Sequence, residues 1–110
     1  MAKPVRVVFI DDKLEREYLN LSKGAPLRKR IDYVIGRIKE NPTFGQPIPK
    51  RLIPKEYTKK GTNNAYWVEL SKGMGWRLIY TLTAEEKVEI VAIILEWFTR
   101  HKDYERRFRY

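Results

Sequence analysis

Four residues in the last third of the chain could handle a phosphodiester: Arg77, Arg100, His101 and Tyr104. Cutting RNA without a metal makes three demands. The 2′-hydroxyl must lose a proton, the leaving 5′-oxygen must gain one, and the crowded phosphorane needs a cation. An arginine at position 77 meets the third, because its planar fork matches phosphate oxygens. Histidine as a residue type titrates near neutrality, so His101 can serve as acid or base. Tyr104 can donate or orient through its hydroxyl, and Glu69 is a possible base. Each residue also has a plainer reading. Arg77 can be a solvated cross-strand partner of Glu69, a lone histidine can simply be exposed, and Tyr104 can be a core aromatic.

Charge supports an anionic partner. The chain carries a formal net charge of +9. Residues 44–61 contain Lys50, Arg51, Lys55, Lys59 and Lys60 against Glu56 alone. Residues 97–110 contain Arg100, Lys102, Arg106, Arg107 and Arg109 against Asp103 and Glu105. Clustered cations of this kind hold phosphates without reading sequence. Trp67, Tyr57 and Tyr104 offer rings on which unpaired bases could stack, which favours single strands over duplex. Lys50, Arg51, Lys55, Trp67, Lys102, Arg106 and Arg107 are therefore the expected RNA-binding set. No helix-turn-helix or zinc-finger spacing is present.

These residues need a scaffold. Val5 to Ile10 is rich in β-branched residues and predicts a strand. Asp12 with Glu15 resembles a capping box, and Leu14, Tyr18 and Leu21 continue at helical spacing, so a short helix is expected over 13–23. Gly24 would end it. Pro26 can open a second helix, whose stripe is Leu27, Ile31, Val34, Ile35 and Ile38. Asn41-Pro42 ends that helix. The pair should form an αα hairpin. Residues 42–63 hold four prolines and several lysines and read as a long ordered loop, a kind that is usually functional.

Three strands should follow. Tyr66 to Leu70 alternates, with Tyr66, Val68 and Leu70 on one face and Trp67 and Glu69 on the other. After the turn "SKGMG", Trp76, Leu78, Tyr80 and Leu82 share a face, and Arg77, Ile79 and Thr81 share its opposite. "TAEEK" predicts a turn, and Val88 to Leu95 is almost wholly apolar, as in a central strand. Trp97, Tyr104 and Phe108 then fit one stripe of a C-terminal helix. The predicted fold is α+β, in the order β-α-α-β-β-β-α, with an antiparallel sheet. The αα hairpin covers one sheet face. The other face, displaying Trp67, Glu69 and Arg77, is expected to be open.

Composition narrows the possibilities. At 110 residues the chain suits one domain, residues 1–110, with a single core. With no cysteine and one histidine, thiolate and multi-histidine metal sites are ruled out. No cofactor is expected. The N-terminus lacks a signal pattern, and no apolar run approaches the roughly 20 residues of a membrane span. A cytoplasmic protein without membrane contact is expected.

"GWRLIYTL", the apolar strand after it, and "TRHKDYERRF" together resemble the RelE/ParE superfamily of type II toxins. "FGQPIPKRL" resembles the loop that enters the sheet in many members. By element order the likeness covers nearly the whole chain. It implies a ribosome-dependent mRNA endonuclease, an mRNA interferase that inhibits translation and is neutralised by a cognate antitoxin. The strand arginine of the family would correspond to Arg77, and its C-terminal arginine and tyrosine to Arg100 and Tyr104. His101 lies where some relatives keep a histidine. Some members place two lysines where this chain has Trp67 and Glu69, and others carry a glutamate near the position of Ile48, so the general base is left unassigned. The ParE branch, which poisons DNA gyrase, is the alternative, and a non-catalytic RNA- or ribosome-binding protein is another. His101 and Tyr104 favour the RelE branch.

Overall fold

The computed structural model describes residues 4–85 and 89–109. Strand β1 (Val5–Phe9) leads into helices α1 (Asp12–Leu19) and α2 (Pro26–Glu40). A two-residue strand β2 (Gln46–Pro47), a 3-10 turn (Lys50–Leu52) and a one-turn helix α3 (Lys55–Thr58) follow. Strands β3 (Tyr66–Ser71), β4 (Trp76–Glu85) and β5 (Glu89–Phe98) form the meander, and α4 (His101–Phe108) closes the chain. The class is α+β, as expected. All five strands join one sheet, in the order β1-β5-β4-β3-β2.

The sheet is mixed rather than antiparallel throughout, because β1 pairs parallel with β5. Parallel neighbours need a long crossover between them, and here everything from α1 to β4 supplies it. The predicted turn over residues 83–87 is displaced, because β4 continues through Thr83, Ala84 and Glu85. The rest of that turn, and Val88 of the expected next strand, lie outside the described residues.

Helix α1 starts one residue earlier than its capping pattern suggested. Asp11, in extended conformation, is the cap, and its Oδ1 accepts the Leu14 N–H at 2.8 Å. Asp12 and Glu15 then both lie in the first turn, where negative charge offsets the helix dipole. The helix ends at Leu19, before Leu21 and Gly24. Helix α2 matches expectation, with Pro26 in its first turn and Ile31, Val34 and Ile38 buried. They pack on Val68, Leu70, Leu78, Tyr80, Ala92 and Ile94 of the sheet's first face. Tyr66 and Trp76 join at the margin, so the predicted aromatic face is the partner of the hairpin.

The second face is not open. Ile53, Tyr57, Ala65, Ile79, Leu95, Phe98 and Tyr104 form a second core there. The proline-rich segment contributes Ile53 and Tyr57, and α4 contributes Tyr104, with Phe108 packed beside it. This overturns two expectations. Residues 42–63 are a covering layer with short elements of their own, and the chain builds two apolar layers on one sheet. Each large side chain buried there contributes about 1.5–3 kcal/mol, a strong reason for these residues to fold onto the sheet.

A β-bulge makes this possible. Ile79 pairs with Glu96, but Tyr80 pairs with Ile94, so Leu95 is an extra residue in β5. Leu95 and Glu96 therefore both face the second layer, Trp97 returns to the first, and Phe98 to the second. Trp97 is thus a strand residue packed near Phe9 rather than part of the C-terminal helix.

Candidate active site

Arg77 is the second residue of β4, just beyond the turn after β3. Gly75 closes that turn at φ +69, a conformation that favours glycine. The register that follows sets Glu69 opposite Arg77 on one side and Phe98 opposite it on the other. The next inward residue on this face, Ile79, is wholly buried. Arg77 is half-buried. It therefore stands at the margin of the second core rather than on an open face.

Its neighbours are rings. The guanidinium carbon lies 4.9 Å from the Trp67 ring centre and 4.5 Å from that of Tyr104. Such cation–π contacts are worth about 0.5–2 kcal/mol and fix the plane of the fork. Glu69 faces it in register, yet Arg77 forms no ion pair among the described residues. A cation held by rings, with no carboxylate to satisfy it, retains its hydrogen-bonding capacity for an external anion.

Tyr104 is the hub. Its ring is 4% exposed, set edge-on to Phe98 and nearly parallel to Phe108 at 4.7 Å. The spacing of four on α4 puts Tyr104 and Phe108 on the same face. His101, one turn earlier, lies nearly parallel to Tyr104 with ring centres 6.2 Å apart. Trp67, Arg77, Tyr104 and His101 thus form one continuous row. With Tyr104 so deeply covered, its ring serves as a platform, and the exposed proton-transfer group of the row is His101.

Glu105 was missed by the reading of the sequence. Its Oε1 lies 3.0 Å from His101 Nε2, four residues along the helix. A carboxylate on one ring nitrogen fixes the orientation of an imidazole. The i,i+4 spacing was the available signal.

The remaining predicted residues divide into three groups. Arg100, the residue before α4, is exposed and 4.0 Å from Asp103, and Lys102 is exposed beside it. Both flank the row. Lys50, Arg51 and Lys55 are exposed on the covering segment that Ile53 and Tyr57 anchor into the same core as Tyr104. Arg106 is exposed on the rim of a polar cleft that also includes Glu56, Glu96 and Asp103.

Arg107 departs from its expected role. Its Nε and Nη2 grip the two oxygens of Glu96 at 3.0 and 2.8 Å, and its Nη1 reaches Glu56 at 3.1 Å. Tyr57 donates its hydroxyl to the same Glu96 carboxylate. Burial, and then the Glu96 charge, push the Tyr57 hydroxyl well above the ordinary tyrosine range. The hydrogen bonds that Arg107 donates to Glu96 likewise hold its guanidinium in the charged form. Arg107 is therefore a strut tying α4 to β5 and α3, with each of its three nitrogens already engaged by a carboxylate.

No protein-family model, curated protein or solved structure matches the chain. The likeness to RelE/ParE toxins rests on the motifs and the element order alone. No helix among the described residues is long and apolar enough to cross a membrane.

Proposed function

We propose that this protein is a RelE-type toxin, an mRNA interferase that cuts RNA on the ribosome. The observation that supports this reading best is the contiguous row Trp67–Arg77–Tyr104–His101, whose arginine has no carboxylate partner among the described residues. In the proposed reaction Arg77 holds the scissile phosphate and stabilises the phosphorane. His101, oriented by Glu105, protonates the leaving 5′-oxygen, and the 2′-hydroxyl proton passes to the unassigned base. Tyr104 holds both side chains in place from below. Arg100, Lys102, Lys50, Arg51 and Lys55 hold flanking phosphates of mRNA or ribosomal RNA. An acidic antitoxin covering the same cations would neutralise them and mask the row. The reaction takes place in the cytoplasm, where ribosomes translate.

The test is cleavage of a defined mRNA by the purified protein, with and without translating ribosomes, beside Arg77→Ala. Cuts that appear with ribosomes and vanish in the variant support the reading. Intact RNA under both conditions overturns it, and trapping of cleaved DNA by gyrase would then favour the ParE-like alternative.

A further inference from the structure

The edge of the sheet beside the row has a notch. Strand β2 is only two residues long, pairing Gln46 with Trp67 and Pro47 with Tyr66. Beyond Trp67, β3 has no outer neighbour among the described residues. The resulting groove, about 400 Å³, runs along the sheet edge and is lined by Phe44, Gly45, Gln46, Trp67, Val68, Glu69 and Lys72. Gln46 and Trp67 share a face because they pair, and Glu69 shares it because it lies two residues on. This is the face that carries Arg77. One indole thus borders both the guanidinium and the groove.

The groove is built tightly at one wall. A Cβ on Gly45 would come within 2.9 Å of the Tyr80 ring and 3.1 Å of the Trp67 carbonyl oxygen. Tyr80 accepts the Gly45 N–H at 2.9 Å and donates to the Pro42 carbonyl at 2.7 Å, which holds this wall against β3. The polar side chains facing the groove are not engaged in the same way. Gln46, Glu69 and Lys72 are all exposed, and none of these three side chains makes a hydrogen bond or ion pair among the described residues. Glu69 stays unpaired although Arg77 is directly opposite.

We infer that this notch is a guanine-binding subsite for the RNA base next to the phosphate held by Arg77. The inference rests on the RNA reading above. An aromatic ring beside a phosphate-holding arginine is the arrangement that stacks a base of a single strand. Hydrogen bonding then selects the base. A carboxylate only accepts, so it is satisfied by two adjacent N–H donors. Guanine presents N1–H and N2–H₂ side by side. Adenine and cytosine set a ring acceptor beside their amine, and uracil flanks its one N–H with carbonyls; each would turn a lone pair toward Glu69. Lys72 and Gln46 can both donate to the guanine O6, and neither a second carboxylate nor an arginine lines the groove. A peptide strand is a poorer occupant. The free edge runs only from Val68 to Ser71, and a register shift breaks it between Glu69 and Ser71.

Binding of labelled 2′-O-methyl hexamers tests this, because without a 2′-hydroxyl they cannot be cut. Oligo-U carrying one central G, A or C is compared with oligo-U itself by fluorescence anisotropy. The wild-type protein should bind the G hexamer about tenfold or more tighter, the discrimination expected of a good bidentate pair. Glu69→Gln replaces one acceptor with a donor, so preference should move from G toward A and C, with the exposed position leaving the fold intact. Arg77→Ala should weaken all four hexamers alike. Equal affinities in the wild type, or a G preference that survives Glu69→Gln, would overturn the inference. G-selective binding by a protein that cuts no RNA would uphold the notch and remove the nuclease reading. Cutting without base preference would do the reverse.

Discussion

Arg77 and Arg107 are both half-buried arginines packed against the layer that α4 forms on the sheet, and they have opposite fates. Arg107 meets Glu96 and Glu56, and all three of its nitrogens are used. Arg77 meets Trp67 and Tyr104, and among the described residues none of its nitrogens is committed to a carboxylate. A carboxylate both positions an arginine and satisfies it. An aromatic ring positions the cation while leaving its donors available. The molecule thus uses one residue type as a carboxylate-held strut in one place and as a ring-held cation in another.

The largest effect should come from removing the ring-held arginine. Arg77→Ala is expected to reduce ribosome-dependent cleavage about a hundredfold or more while changing thermal stability little. Wild-type cutting by this variant would erase the distinction between the two arginines. Arg107→Ala should do the opposite: it leaves Glu96 without its cation and costs about 2 kcal/mol of stability, measured by urea denaturation. A variant as stable as the parent would show that the clamp contributes nothing.

Tyr104→Phe sharpens the comparison by keeping the ring and removing the hydroxyl. Most cleavage should survive, because the platform acts through its face. Loss on the scale of Arg77→Ala would return an acid/base role to the hydroxyl. The strut end also has a pH signature. The Tyr57 hydroxyl is raised above its unfolded value, so the unfolded chain ionises first as pH rises. The stabilisation is fully present at neutral pH and is lost above about pH 10, the ordinary tyrosine range. Tyr57→Phe should flatten that alkaline decline in a melting series. The smallest effect is expected from Glu105→Gln. It should slow cleavage less than His101→Ala does, read as the rate of cutting of the same mRNA.

Much of the scaffold was legible from local pattern. The stripe on α2 and the alternation through Tyr66–Leu70 and Trp76–Leu82 are short-range regularities set by the periods of helix and strand. They were enough to place the hairpin on the correct face and to put Arg77 opposite it. The second core was not legible in that way. Ile53 and Tyr57 lie in a proline-rich stretch without periodicity, and only their packing against Ile79, Leu95 and Phe98 shows what they cover. The bulge at Leu95 was invisible as well, because an unbroken apolar run reads the same with or without an extra residue. Trp97 misleads for a separate reason, since it shares a helical spacing with Tyr104 and Phe108 although it lies on β5.

The candidate site divides along the same line. Residue type and spacing alone identified Arg77, His101 and Tyr104 as the groups able to act on a phosphate, because that capacity belongs to the side chain. The tertiary structure decided which of them are available. It buried Tyr104, gave His101 a carboxylate, withheld one from Arg77 and assigned Arg107 to Glu96. Those outcomes depend on which side chains distant strands and α4 bring within a few ångströms, and no local pattern in the chain encodes a distance between its two ends.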